Sequence, residues 1–330
     1  MDNFKSFESL LYTVNDGNRD DIALRLFRYQ AIHNPVYAKY ITYLSTNIQA
    51  VTSVNEIPFL PISFFRSHEL KTSNWHTETR FVSSGTTGKA TSSHHIADLN
   101  FYLQHAEHCF TRSFGSLTGY HFLALMPSYL ERENSSLIAM ISSFIKKSES
   151  KHSGFYLNEY EKLLQDIVRL KSEGKRKIVV WGVSFALLDL AEKHQPDLSV
   201  CLLFETGGMK GRRKEITRQE LHSQLKKYFN IAKVYSEYGM TELLSQAYTK
   251  GRDKFYPPPG MKVVIRESVD PFEKGLMERA GGLNVVDLAN FHSIAFIETE
   301  DVGKVYADGS FEVLGRLDNS DVRGCNLMVE

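Results

Sequence analysis

Ser83-Ser84-Gly85-Thr86-Thr87-Gly88-Lys89 packs four hydroxyls, two glycines and a lysine into seven consecutive residues. Glycine lets backbone N–H groups come close to an anion. The hydroxyls and the lysine ammonium add further donors, so the composition suits phosphate. The stretch is not a Walker A loop, because Ser83 stands where G-x-x-x-x-G-K-[ST] needs its first glycine and Ala90 stands where it needs Ser or Thr. The dinucleotide fingerprint G-x-G-x-x-G fails as well, since residue 83 is not glycine.

Four later stretches bear on the same chemistry. Glu205-Thr206-Gly207-Gly208-Met209-Lys210-Gly211 follows the apolar run Cys201–Phe204. Glycines at the carboxyl end of a strand let a ligand approach the backbone. Tyr238-Gly239-Met240-Thr241-Glu242 follows the strand-like Ala232–Ser236, and Glu300-Asp301-Val302-Gly303 leads into a hairpin that Gly315-Arg316-Leu317-Asp318 closes. Taken singly, each has a plain reading: Tyr238 a core aromatic, Glu242 a first-turn acid, Asp301 a turn residue, Arg316 a solvated charge. Their order and spacing argue for a single site.

In that order, SSGTTGK, YGMTE, TED and GRLD resemble the motif series of the adenylate-forming, or acyl-activating, enzymes. Within that superfamily the chain is most similar to the acyl-protein synthetases of bacterial bioluminescence, with IPFLPISFFRSHEL at 57–70 and RGCNLMVE at the end. Phenylacetate–coenzyme A ligases resemble it next. The likeness runs from about residue 55 to residue 328. Two features depart from the superfamily pattern. Lys89 follows Gly88 directly, a short spacing for the phosphate loop. The small C-terminal domain with its adenylation lysine is also expected to be absent, which leaves coenzyme A ligation by domain rotation without support.

The resemblance implies an α/β fold, the large N-terminal domain of the adenylate-forming enzymes. A mostly parallel covered sheet would be joined by a C-terminal antiparallel β-subdomain. It implies activation of a carboxylic acid, in this family a fatty acid, by ATP and Mg2+. Ser83, Ser84, Gly85, Thr86, Thr87, Gly88 and Lys89 would wrap the β- and γ-phosphates, and Glu242 would hold magnesium. Tyr238 would face adenine, with Gly239, Met240 and Thr241 beside it, Asp301 would accept from the ribose hydroxyls, and Arg316 would meet ribose or phosphate. Gly207 and Gly208 would line the crossing of nucleotide and acyl chain, walled by Tyr120–Met126 and Trp181–Phe185. Lys89, Glu242 and Cys325 are the expected catalytic residues. Cys325 would accept the acyl group as a thioester, with Arg323 favouring the thiolate. An acyl reductase or a carrier protein would be the partner. An acyl- or aryl-coenzyme A ligase, and a nucleotide-binding protein without ligase activity, stand as alternatives.

These residues need elements to hold them. Apolar residues recur with helical period over Asn100–Phe114, Ser135–Lys147, Glu159–Ser172, Ser184–His194 and Thr217–Phe229. Short apolar runs at Tyr120–Met126, Lys177–Trp181, Cys201–Phe204 and Ala232–Ser236 read as strands. Their alternation predicts a parallel sheet covered on both faces. After Tyr256-Pro257-Pro258-Pro259-Gly260 the pattern becomes strand upon strand, with Asp308-Gly309 as a hairpin turn. The expected organisation is a body over 1–255 whose first 55 residues are helical, a β-subdomain over 256–316 and a hinge-like tail over 317–330. His94 and His95 are adjacent and would point apart, so at least one is read as a helix-start or pocket residue and no zinc site is expected.

Composition narrows the class. The chain has 330 residues, 42% hydrophobic and 24% charged, with 39 basic and 39 acidic side chains. No basic field is present to attract nucleic acid. The opening stretch, MDNFKSFESLLYTVNDGNRDD, lacks the apolar core of a signal peptide, and no apolar run reaches bilayer length. The expectation is a cytoplasmic protein without membrane insertion. Cys109, Cys201 and Cys325 are far apart and odd in number, so free thiols are expected.

Overall fold

A computed structural model describes residues 3–83, 91–127, 134–207, 213–214, 216–267, 274 and 278–316. The N-terminal part holds helices α1 (Asn3–Leu11), α2 (Arg19–His33) and α3 (Pro35–Tyr43), a short strand β1 (Leu60–Pro61) and helix α4 (Phe64–Ser67). A two-stranded antiparallel hairpin follows, β2 (Thr79–Val82) and β3 (Ser93–Ile96), with Phe81 opposite His94 and Val82 opposite Ser93. Next come α5 (Leu99–Phe114), β4 (Tyr120–Leu125), α6 (Ser136–Lys147), β5 (Gly154–Tyr156), α7 (Tyr160–Glu173), β6 (Lys177–Val183), α8 (Ser184–His194), β7 (Cys201–Thr206), α9 (Arg218–Phe229) and β8 (Val234–Tyr238). The remaining strands are β9 (Ala247–Thr249), β10 (Phe255–Tyr256), β11 (Met261–Arg266), β12 (Gly281–Asp287), β13 (Phe296–Val305) and β14 (Phe311–Arg316).

The main sheet runs β11-β12-β13-β14-β10-β9-β8-β7-β6-β4-β5, with β1 added beside β13. Strands β5, β4, β6, β7 and β8 are parallel. Strand β9 turns back antiparallel on β8, the pairings among β9–β14 are antiparallel, and β1 lies parallel to β13. The two strand blocks therefore share one hydrogen-bonded sheet, joined through β9 and β10.

Alternate side chains of the parallel strands feed two separate cores. Phe122, Ala124, Val179, Trp181 and Phe204 pack with α5 and α6, while Leu123, Leu125, Ile178, Val180 and Leu203 pack with α7, α8 and α9. A strand buried on both faces has no polar side, which is why these runs read as unbroken apolar stretches. Helix starts are fixed locally. Asp98 accepts from Phe101 N at the start of α5, and Thr217 with Glu220 forms a capping box on α9.

The boundaries expected for these helices and strands agree with the structure to within a few residues. Strand β12 was not foreseen. Its Gly281-Gly282 start and the polar Asn284 mask the strand pattern, yet all seven residues are buried. His94 sits on a strand, not at a helix start.

Candidate functional site

The site is built at the carboxyl ends of β7 and β8, where open α/β sheets leave a crevice for ligands. Gly207 follows β7 directly with φ of 67°, a left-handed conformation that glycine adopts without steric cost. Its carbonyl accepts from the Ser184 hydroxyl at the start of α8. Tyr238 ends β8, and the turn after it carries Gly239, Met240, Thr241 and Glu242.

The hairpin meets this turn. Ser83 N donates to Ser92 O at 3.0 Å, and Ser92 N donates to Ser83 Oγ at 2.8 Å. The Ser92 hydroxyl faces the Glu242 carboxyl and favours its charged form, so the base of the 84–90 segment lies beside the carboxylate expected to handle metal. One residue pair further along, His94 Nδ1 lies 2.9 Å from Thr241 O and its Nε2 lies 2.8 Å from Ser293 Oγ. A carbonyl can only accept, so Nδ1 carries the proton and Nε2 accepts from the serine. Burial holds His94 down at about 4, which keeps it neutral.

Glu242 is 6% exposed. Burial pushes its carboxyl up from the ordinary range, opposed by the Ser92 hydroxyl and by Arg316 and Arg66 nearby. Its backbone carbonyl accepts from Asn290 Nδ2 at 2.8 Å. Asp287 anchors the rest of the turn: Oδ2 accepts from Leu244 N and Ser245 N at 2.9 Å each, and Oδ1 accepts from Ser245 Oγ at 2.6 Å.

A second group gathers beneath Tyr238. Its hydroxyl donates to Asp301 Oδ2 at 2.8 Å, and Arg316 Nε lies 3.3 Å from Asp301 Oδ1 across the β13–β14 pair. Burial raises the Asp301 carboxyl, and Arg316 and the Tyr238 hydroxyl pull it back. Glu300 then links Arg316 at 3.8 Å to Arg66 of α4 at 3.2 Å. Arg316 keeps 67% of its side-chain surface exposed, which leaves its guanidinium within reach of an anion.

The structure thus brings Ser83, Gly207, Tyr238, Gly239, Met240, Thr241, Glu242, Asp301 and Arg316 to one end of the sheet. Ser84, Gly85, Thr86, Thr87, Gly88, Lys89, Gly208 and Cys325 lie outside the described residues. Cys109 and Cys201 are free and buried. Among the described residues no group of three or more His, Cys, Asp or Glu side chains could hold a metal ion, and no helix is long and apolar enough to cross a membrane. A lone carboxylate at Glu242 suits magnesium, which keeps several waters and takes one or two protein carboxylates alongside phosphate oxygens. Sequence reasoning missed Ser92, Asp287 and Asn290. Ser92 is one of several serines beside the motif, and nothing near Asp287 or Asn290 in the chain marks either.

No known family profile matches the chain, and no curated protein matches its sequence. Solved structures do match. An open conformation of 2-hydroxyisobutyryl-CoA ligase, in complex with 2-HIB-AMP and CoA, covers 92% of this chain and 71% of its own at 12% identity, with a TM-score of 0.68. ATP-bound MatB from Rhodopseudomonas palustris covers 73% of this chain at 15% identity and a TM-score of 0.54. The chain spans 48% of that MatB structure. A luciferase-like enzyme from the nonluminescent mealworm Zophobas morio covers 83% at 18% identity, with a TM-score of 0.51. The chain has the fold of the large N-terminal domain of adenylate-forming ligases.

Proposed function

We propose that the protein uses ATP to activate a carboxylic acid as an acyl adenylate, releasing pyrophosphate. The observation that carries this reading is the meeting of two groups at one sheet end. Ser83, Ser92 and Glu242 form one, and Tyr238, Asp301 and Arg316 form the other. The first suits phosphate and the second suits a nucleoside. Both stand in the fold of adenylate-forming ligases, structures of which hold ATP or an acyl adenylate.

The acid's carboxylate oxygen attacks the α-phosphorus, a P–O bond forms, and the bond to pyrophosphate breaks. Catalysis is chiefly positioning and charge neutralisation. Ser83–Lys89 would hold the β- and γ-phosphates, and Arg316 would meet the ribose or an α-phosphate oxygen. Asp301 would accept from the ribose hydroxyls, the Tyr238 ring would flank adenine, and Gly207 and Gly208 would let the two substrates cross. Glu242 is the carboxylate that would hold a magnesium ion brought with ATP, which would supply neutralisation of phosphate charge.

The acyl adenylate is then passed to a thiol. The Cys325 thiolate attacks the acyl carbon, the bond to AMP breaks, and a thioester and AMP result. Arg323 beside Cys325 favours the thiolate. A cytoplasmic acyl reductase or a carrier protein would take the group onward. Domain limits of 1–255, 256–316 and 317–330 fit this division of labour. Coenzyme A as the acceptor is the second reading, favoured by the likeness to a ligase solved with CoA.

Acid-dependent exchange of pyrophosphate into ATP, measured over alkyl, aryl and substituted acids, tests the function. Failure of every acid would sink it. Hydroxylamine-labile labelling by radioactive acid and ATP, lost in Cys325→Ser, supports the internal thiol. Labelling of free coenzyme A alone would support the second reading.

A further inference from the structure

The end of β8 carries one more carboxylate, Glu237, which the chemistry above leaves unused. Trp181, Phe204 and Tyr235 stand side by side across β6, β7 and β8, with Trp181 and Phe204 stacked at 4.6 Å and Phe204 and Tyr235 at 5.1 Å. Two residues further on, the same face presents Thr206 and Glu237 at the rim of the sheet. The aromatic face thus ends in a polar step just where the glycines of β7 and β8 open.

Thr206 Oγ1 donates to Glu237 Oε2 at 2.6 Å. The other carboxylate oxygen, Oε1, lies 2.2 Å from where a Cβ on residue 239 would stand, and Gln246 Cγ lies 3.4 Å from the same point. Gly239 is exposed and Glu237 partly so, which places this carboxylate on the crevice wall. Gln246 is only 4% exposed. Its Nε2 donates to Leu244 O at 3.0 Å, while its Oε1 has no partner. The Glu237 carboxyl and the Gln246 side chain therefore flank one glycine at the carboxyl edge of the sheet, and the Gln246 amide oxygen is buried there without a partner.

We infer that Glu237 and Gln246 form a hydrogen-bond-accepting subsite that selects acids bearing a donor substituent, a hydroxyl or an amino group. The inference rests on the acid-activating function above and departs from the unsubstituted fatty acid that the resemblance implies. A plain alkyl chain at this point would cover the Glu237 carboxyl and leave the Gln246 amide oxygen still without a partner, a costly arrangement. A donor group repays that cost, and a site built to accept from it rejects the analogue that lacks it.

The test is acid-dependent pyrophosphate release from matched sets of short acids. Each set holds an unsubstituted parent and its hydroxyl and amino derivatives at successive carbons. The best derivative is expected to exceed its parent in kcat/KM by about 100-fold or more. Glu237→Leu should cut that ratio to below about tenfold, and Gln246→Met, which keeps the side-chain length, reads the same ratio should Glu237→Leu not fold. The hydroxyl and amino series separately show which donor is taken. Parents that match all their derivatives overturn the subsite alone, as does a ratio unchanged in both variants. Release with no acid at all removes the acid-activating function, and the subsite with it.

Discussion

Tyr238 and Asp301 are joined by a 2.8 Å hydrogen bond that ties the last parallel strand to the middle of the antiparallel block. Both groups are buried, at 7% exposure each. Tyr238→Phe keeps the ring and deletes the donor, leaving a buried carboxylate one bond short. We expect a loss of about 1–2 kcal/mol in urea unfolding and roughly a tenfold rise in KM for ATP. An unaltered KM would separate Asp301 from nucleotide binding.

Glu242→Gln is nearly isosteric and removes one negative charge from a position where burial already disfavours it. Pyrophosphate release should fall by about two orders of magnitude. The melting temperature should stay within a few degrees, because the amide oxygen can still face the Ser92 hydroxyl. Full activity in this variant would remove Glu242 from the chemistry.

His94 gives stability a pH dependence. Its folded-state value of about 4 lies below the ordinary 6.5, so the unfolded chain takes up a proton that the folded protein refuses. The stability this represents is complete above pH 6.5 and is lost as pH falls from 6.5 toward 4. The slope reaches at most about 1.4 kcal/mol per pH unit, or roughly 3 kcal/mol across the window. Wild type should lose that much more than His94→Gln between pH 7 and 4 in denaturant titrations. Parallel curves would show that His94 titrates normally.

Gly239→Ala drives a methyl group against Glu237 Oε1, whose carboxylate Thr206 anchors from the other side. The expected cost is about 1–3 kcal/mol. Adding Glu237→Ala should recover part of it, a non-additivity measurable as a double-mutant cycle. Strict additivity would mean that the carboxylate does not occupy that space.

The parallel half of the fold is legible in the chain because buried strands and amphipathic helices carry opposite periodicities. Lys177–Val183 and Ser184–His194 abut with no connecting residue and are still told apart by pattern. Strand β12 is not legible, since its glycines lie close against Arg266 and Ile265 for reasons that only tertiary contact supplies. The motif residues Tyr238, Glu242, Asp301 and Arg316 stand out by type and spacing. Their supports do not. Asp287 holds Leu244 and Ser245 through backbone N–H groups, which any sequence offers, so the chain carries no mark of the arrangement.

The second leg of the β2–β3 hairpin meets the turn after β8 twice, with Ser92 beside Glu242 and His94 bonded to Thr241. Neither attachment uses a residue between 84 and 90. Exchanging the 84–90 stretch therefore leaves Ser92 and His94 in the chain and separates their contribution from that of the stretch itself. A chain whose 84–90 stretch is swapped for a glycine–serine spacer of equal length should melt within a few degrees of wild type while losing ATP turnover. A large drop in melting temperature would show that the stretch itself carries the attachment.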